Sequence, residues 1–146
     1  MTGFDKYQYW KILSDYDIET AKVLLEAKRF NYVTVLCEQA AERLIKGMFI
    51  FHTGKETPKS HNVPFLANRL ANHERFSCKD EGKKFEEELG DYENTMVDLM
   101  FYYMSDYPFS YKKFQDRFIS EESAYELYDK TLKLLSWLQS FQSQQD

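Results

Sequence analysis

The sequence predicts an all-α fold, an antiparallel up-and-down bundle of four to five helices. Three observations lead there. Apolar residues recur every three to four positions through long segments. No stretch alternates with the period of two that a half-buried strand needs, and the connections between periodic segments are short. The length of 146 residues suits one domain, residues 1–146, with a tail at about 143–146 expected to fray.

The first helix is expected over about residues 6–28, where Trp10, Leu13, Asp17, Ala21, Leu24 and Leu25 trace a helical spacing with Ile18 beside it. "RFNY" breaks the pattern, and Asn31 is a plausible cap for the next helix. That second helix, about 32–52, carries Val33, Leu36/Cys37, Ala40/Ala41, Leu44/Ile45 and Met48/Phe49, a wide apolar face on which the alanines allow close approach. Gly54 stops it, and "TGKETPKSHN" supplies turn chemistry. A third helix, about 62–72, holds Pro64 in its first turn, where a missing N–H costs nothing.

"HERFSCKDEG" reads as a polar connection. A fourth helix over about 83–104 follows, marked by Phe85, Leu89, Tyr92, Met96, Leu99 and Tyr103, and the second and fourth helices are expected to supply most of the core. Its rings Tyr92, Phe101, Tyr102 and Tyr103, with Met96, Met100 and Met104, exceed what one interior needs and suit a homodimer interface. After a loop at about 105–120, Ser120 caps a fifth helix with Glu121 and Glu122 in its first turn. Leu127, Leu134, Leu135, Leu138 and Phe141 give that helix one buried face.

Composition narrows the function classes. Hydrophobic residues at 43% and aromatics at 17% make a globular chain, while a net charge of −5 leaves no global basic footprint for nucleic acid. No apolar run approaches the roughly 20 residues of a membrane helix, and "MTGFDKYQYW" lacks the apolar core of a signal peptide, so the cytoplasm is the expected compartment. Cys37 and Cys78 form no metal or redox motif. There is no Glu-x-x-His pair, no Cys/His cluster and no Gly-rich phosphate loop, so neither a metal nor another cofactor is expected.

The polar residues threaded through "CEQAAERLIKG" carry the functional question. Glu42 and Lys46 form an i,i+4 pair in the favourable order, and Gln39 shares their face, which predicts a solvated stripe. The competing expectation is that Lys46 and His61, joined across the "HTGKETPKS" turn, line a small anion or nucleotide pocket.

Several segments in order resemble the HEPN domain family. They are Trp10, Asp17-Ile18, Ala21 and Leu24-Leu25 in the first helix, then the aromatic turn with Phe30 and Tyr32. The run "CEQAAERLIKGMFIFHTG" and the "TPKSHNV" entry to the third helix follow. The resemblance covers residue 10 to about 108 and implies a helical bundle that commonly dimerises. It also implies a choice of functions. Some members are metal-independent ribonucleases, often toxins of toxin–antitoxin pairs. Others are non-catalytic partners of nucleotidyltransferase-fold proteins, and some have been proposed to bind nucleotides.

The ribonuclease members use an Arg and a His separated by four to six residues, a pair suited to moving protons and stabilising phosphorane-like charge. Here Arg69 and His73 have three residues between them and Arg43 and His52 have eight, so neither fits. The family's Thr-Arg-Tyr-Pro-like segment corresponds to "MSDYPF". Tyr107 and Pro108 match, but Asp106 replaces the phosphate-seeking Arg; Lys112, Lys113 and Arg117 follow nearby.

The expectation is therefore a non-catalytic HEPN-like binding or regulatory module. It would be a homodimer with a nucleotidyltransferase-fold partner and a nucleotide ligand at Lys46, His61 and Tyr107. The alternatives are a divergent ribonuclease acting on RNA through Arg69 and His73, and a purely structural helical domain.

Overall fold

The computed structural model describes residues 1–104 and 119–142, the side chain of Met104 excepted. Helix α1, Gly3–Glu26, starts ahead of the predicted position because Thr2 and Asp5 close a capping box. The Asp5 N–H reaches Thr2 Oγ1 and the Thr2 N–H reaches Asp5 Oδ2, both at 3.0 Å. Helix α2 runs Phe30–Thr53. Asn31 lies inside its first turn and does not cap it; its Oδ1 accepts the Ile119 N–H at 3.0 Å, fastening this end of α2 to the approach of the last helix. Gly54 ends α2 as expected, at φ 74, with its N–H on the Ile50 carbonyl at 2.8 Å. Helix α3, Val63–Asn72, is capped by Asn62, whose Oδ1 accepts the Phe65 N–H at 3.0 Å.

The "HERFSCKDEG" stretch is more than a connection. His73 caps a one-turn helix α4, Glu74–Ser77, through Nδ1 and the Arg75 N–H, and α4 inserts a fully buried Phe76 into the core. Helix α5 follows at Asp80–Leu89. The predicted single fourth helix is divided: a 3-10 turn at Gly90–Tyr92 separates α5 from α6, Glu93–Met104. Gly90 is the weak point, since glycine gives the helix neither a side chain to pack nor a reduced unfolded-state entropy. Helix α7, Glu121–Gln139, has the predicted Ser120 cap and closes in a 3-10 turn at Ser140–Gln142. Every regular element among the described residues is helical.

Helix α2 is the centre, with α1, α3, α4, α6 and α7 packed around it. Its neighbour α1 comes closest because the facing residues are small. Ala21, Ala40 and Ala41 are fully buried, and the Ser14 hydroxyl reaches across to the Ala40 carbonyl at 2.7 Å. At Gly47 a methyl group would sit 2.9 Å from the Trp10 Cβ. The expectation that α2 and the predicted fourth helix supply most of the core needs correcting. Fully buried contributions from α5 and α6 reduce to Phe85, Met96 and Leu99, whereas α7 supplies Ala124, Leu127, Leu134, Leu135 and Leu138.

Part of the ring surplus packs on the core, where Tyr92, Tyr102 and Met100 are half-buried. Tyr92 stacks on Trp137 at 4.4 Å and Trp137 on Phe85 at 4.9 Å, while the Met100 sulfur accepts the Val63 N–H at 3.3 Å. Phe101, 63% exposed, and the half-exposed Val97 are the large apolar side chains that α6 turns outward. Cys37 is buried, and burial pushes its thiol up to about 12, as an inert core cysteine requires. No helix among the described residues is long and apolar enough to cross a membrane.

Two glycines in the same region test this packing. A Cβ at Gly82 would lie 1.8 Å from the Phe76 carbonyl oxygen, a backbone atom that cannot step aside, whereas Gly90 has open space around it and a right-handed helical backbone. Gly82→Ala is expected to lose about 2–4 kcal/mol of stability, and Gly90→Ala to gain about 0.5–1 kcal/mol. Thermal and urea melts of the two variants check both signs.

Candidate functional site

The stripe expected to meet solvent on α2 does so only in part: Gln39 and Lys46 are half-buried and Glu42 is buried. Glu38 and Glu42 are both buried, at 2% and 5% exposure, because other helices pack around α2. Burying two carboxylates one helical turn apart is costly unless their charges are managed, and the surrounding groups show how.

Glu42 is the hub. Its Oε2 accepts Lys46 Nζ at 2.7 Å, its Oε1 accepts His61 Nδ1 at 2.9 Å, and the Glu38 carboxyl adds a third hydrogen bond. Burial alone would raise the Glu42 pKa. The donors from Lys46, Glu38 and His61 outweigh burial and hold it below the ordinary carboxylate value. Glu38 moves the other way. Burial first, then its hydrogen bond to Glu42 and the charge on Glu42, push it up, so Glu38 is the protonated member of the pair and donates to Glu42. The remaining oxygen, Glu38 Oε1, is buried with no hydrogen-bond partner.

Since Glu42 is ionised, the imidazole must present N–H at Nδ1, and in the neutral tautomer that does so the lone pair is at Nε2. The His61 side chain is 68% exposed, and its ring lies 5.8 Å from that of Tyr103 at 39°. Lys46 is only 16% exposed, and its ammonium sits over the Trp10 ring at 5.9 Å from the centroid. A second polar group joins the same two helices further along. Asp17 on α1 takes Arg43 at 3.0 and 3.1 Å and Gln39 at 3.3 Å, while burial keeps its pKa above the usual value despite that guanidinium.

The structure therefore brings Lys46 and His61 together, through a carboxylate that the sequence reading assigned to solvent. Tyr107 and Asp106 lie outside the described residues. Arg69 is exposed in the last turn of α3, and His73 has its Nδ1 engaged in capping α4 and its ring edge-on to Phe49 at 5.6 Å. His52 is buried, its Nε2 2.8 Å from Gln142 Oε1, and burial lowers its pKa to about 4. Glu38 was missed. Its spacing, one turn before Glu42, is visible in the sequence, but its burial is not, because Gln39 and Arg43 lie beside the same row and read as a polar face.

No three His, Cys, Asp or Glu side chains among the described residues are grouped to hold a metal ion. A concavity of about 330 Å³ opens between α6 and α7 beside Asp98, Phe101, Tyr102, Glu126 and Lys130. There Lys130 reaches Glu126 at 2.9 Å and Asp98 at 3.9 Å. Phe101 and Tyr102 in its lining are two of the rings that the sequence offered for an interface.

Compared with known proteins, the chain matches the family model of the HEPN domain over residues 7–141. No curated protein and no solved structure matches it.

The acid pair and His52 set opposite pH dependences. Glu38, raised to about 9, keeps a proton that the unfolded chain loses near 4.5, so its contribution is whole at low pH and disappears as pH rises through about 9. His52, lowered to about 4, contributes fully above its ordinary value of 6.5 and loses that contribution as pH falls through about 4. Glu38→Gln keeps a donor for Glu42 without an ionisable proton. It is expected to raise stability at pH 8 by about 1–2 kcal/mol, with the gain fading toward pH 5. Melting temperatures across pH 4–9 for the two proteins check the crossing trends.

Proposed function

The chain belongs to the HEPN domain family, and on that premise we propose that it is a binding module without turnover of its own. It holds a nucleotide at the corner where α2 meets α3 and pairs, as a homodimer, with a nucleotidyltransferase-fold protein. One observation carries the nucleotide part of this reading: Glu42 assembles Lys46 and His61 into a single corner with the imidazole facing solvent. Such a corner offers a hydrogen-bonding edge and a ring face within a rigid helical frame, the kind of convergence that small-ligand sites use.

The absence of turnover is argued from the residues that ribonuclease chemistry would need. Phosphodiester cleavage without a metal calls for a mobile proton carrier beside a cation free to meet developing negative charge. At the corner, the Lys46 charge is already matched by Glu42 at 2.7 Å. At the other site, His73 is engaged as a helix cap. The homodimer is argued from the outward-facing Phe101 and Val97 of α6, an aromatic and an aliphatic side chain one turn apart, as interface cores use.

The purified protein is expected to leave a fluorescently labelled single-stranded RNA intact over hours at micromolar enzyme, as are Arg69→Ala and His73→Ala. Cleavage by the parent that disappears in both variants would replace this reading with the ribonuclease one. Sedimentation across micromolar concentrations is expected to give a dimer that Phe101→Asp converts to a monomer; a monomeric parent would remove the homodimer.

A further inference from the structure

We propose that the corner recognises the base of a nucleotide and leaves its phosphates in solvent. This rests on the nucleotide reading above and specifies which part of the ligand the protein touches.

Lys46 is the cation that a phosphate would seek at this position, and its geometry denies it that role. Its ammonium is 2.7 Å from Glu42 Oε2, is 16% exposed and rests over the Trp10 ring. A phosphate brought to Lys46 would also approach the ionised Glu42, so repulsion from the carboxylate offsets attraction to the ammonium. With Lys46 and Glu42 cancelling and Glu38 protonated, these three α2 side chains carry no surplus positive charge. The contrast with a phosphate cradle, built from unneutralised Lys or Arg and convergent backbone N–H groups, is direct.

His61 gives the positive half of the argument. Its Nδ1–H points inward to Glu42, so the tautomer of the neutral ring that makes this contact presents the Nε2 lone pair on the exposed edge as an acceptor. A phosphate at neutral pH offers few donors to such an edge, whereas an exocyclic amine or ring N–H of a base supplies one. The same ring, tilted 39° to Tyr103 at 5.8 Å, provides a flat surface of the kind on which bases stack. Glu38 has a positioning part. Its hydrogen bond to Glu42 helps hold the carboxylate with one oxygen toward Lys46 and the other toward His61.

Calorimetric titration of the full chain with adenosine, ATP and inorganic tripolyphosphate separates the cases. Adenosine and ATP are expected to bind within about threefold of each other, and tripolyphosphate neither to bind nor to compete. Raising salt from about 50 to 500 mM should change the ATP affinity little, because few phosphate contacts are screened. His61→Ala, with its folding checked by circular dichroism, should weaken adenosine and ATP alike by about tenfold. Glu42→Gln removes the charge that neutralises Lys46, so it should tighten ATP relative to adenosine by about tenfold. If that variant does not fold, the parent titrations and His61→Ala decide.

ATP binding more than about thirtyfold tighter than adenosine, or displacement by tripolyphosphate, would overturn base recognition while keeping a nucleotide site. Failure of adenosine and ATP alike at millimolar concentration would remove the nucleotide reading and this inference with it.

Discussion

The constraint on which the rest of this structure depends is the burial of the Glu42 carboxylate in the middle of the bundle. The helices packed around α2 leave Glu38 and Glu42 little water to turn toward. An ionised carboxylate there must gather donors, and Glu42 gathers three from three directions: Lys46 one turn along its own helix, Glu38 one turn back, and His61 from the approach to α3. The last of these is a tertiary tie. It holds the turn between α2 and α3 against the centre of the domain, and the cap at Asn62 launches α3 one residue later. Removing one partner of such a group is costlier than removing both, because the remaining charge stays buried.

The central position of α2 is itself a matter of side-chain size. Alanine at 21, 40 and 41 and glycine at 47 bring α1 close enough for the Ser14 hydroxyl to bond an α2 carbonyl, and the Asp17–Arg43 pair lies along the same seam. Larger residues fill the opposite side. Leu44, Ile45 and Met48 belong to one core with Leu134 and Leu138 of α7, and the stack of Tyr92, Trp137 and Phe85 joins α7 to α5 and the 3-10 turn. Part of the aromatic content is thus structural, while Phe101 and Val97 of α6 face outward.

Those differences in environment explain what the sequence could and could not disclose. Helices α1, α2, α3 and α7 were legible because each has a regular apolar spacing bounded by a cap or a glycine, signals that act within a turn or two. The short α4 escaped because a single turn has no periodicity, and its anchor, Phe76, sits among polar neighbours. The break at Gly90 escaped because the apolar spacing continues through the 3-10 turn. At the site, Lys46 and His61 were legible from their positions, while Glu38 was not. Whether a glutamate on a helix meets water or a second carboxylate depends on how many helices surround it, and that is a property of the assembled bundle.

The acid pair also bears on why the corner retains polar groups at all. Replacing Glu38 by leucine would remove an unpartnered buried oxygen and a carboxyl held protonated against its ordinary tendency, and on packing grounds alone that change favours the folded state. It would also take away one of the three donors that keep Glu42 ionised. With fewer donors, burial would draw the Glu42 pKa upward, weakening the hold on both the Lys46 ammonium and the His61 N–H. The bundle would keep its core and lose the definition of its one exposed imidazole at this corner. Stability and the orientation of His61 are therefore opposed at position 38, and a residue that costs stability while fixing the geometry of a solvent-facing group is the pattern that a binding function leaves in a fold.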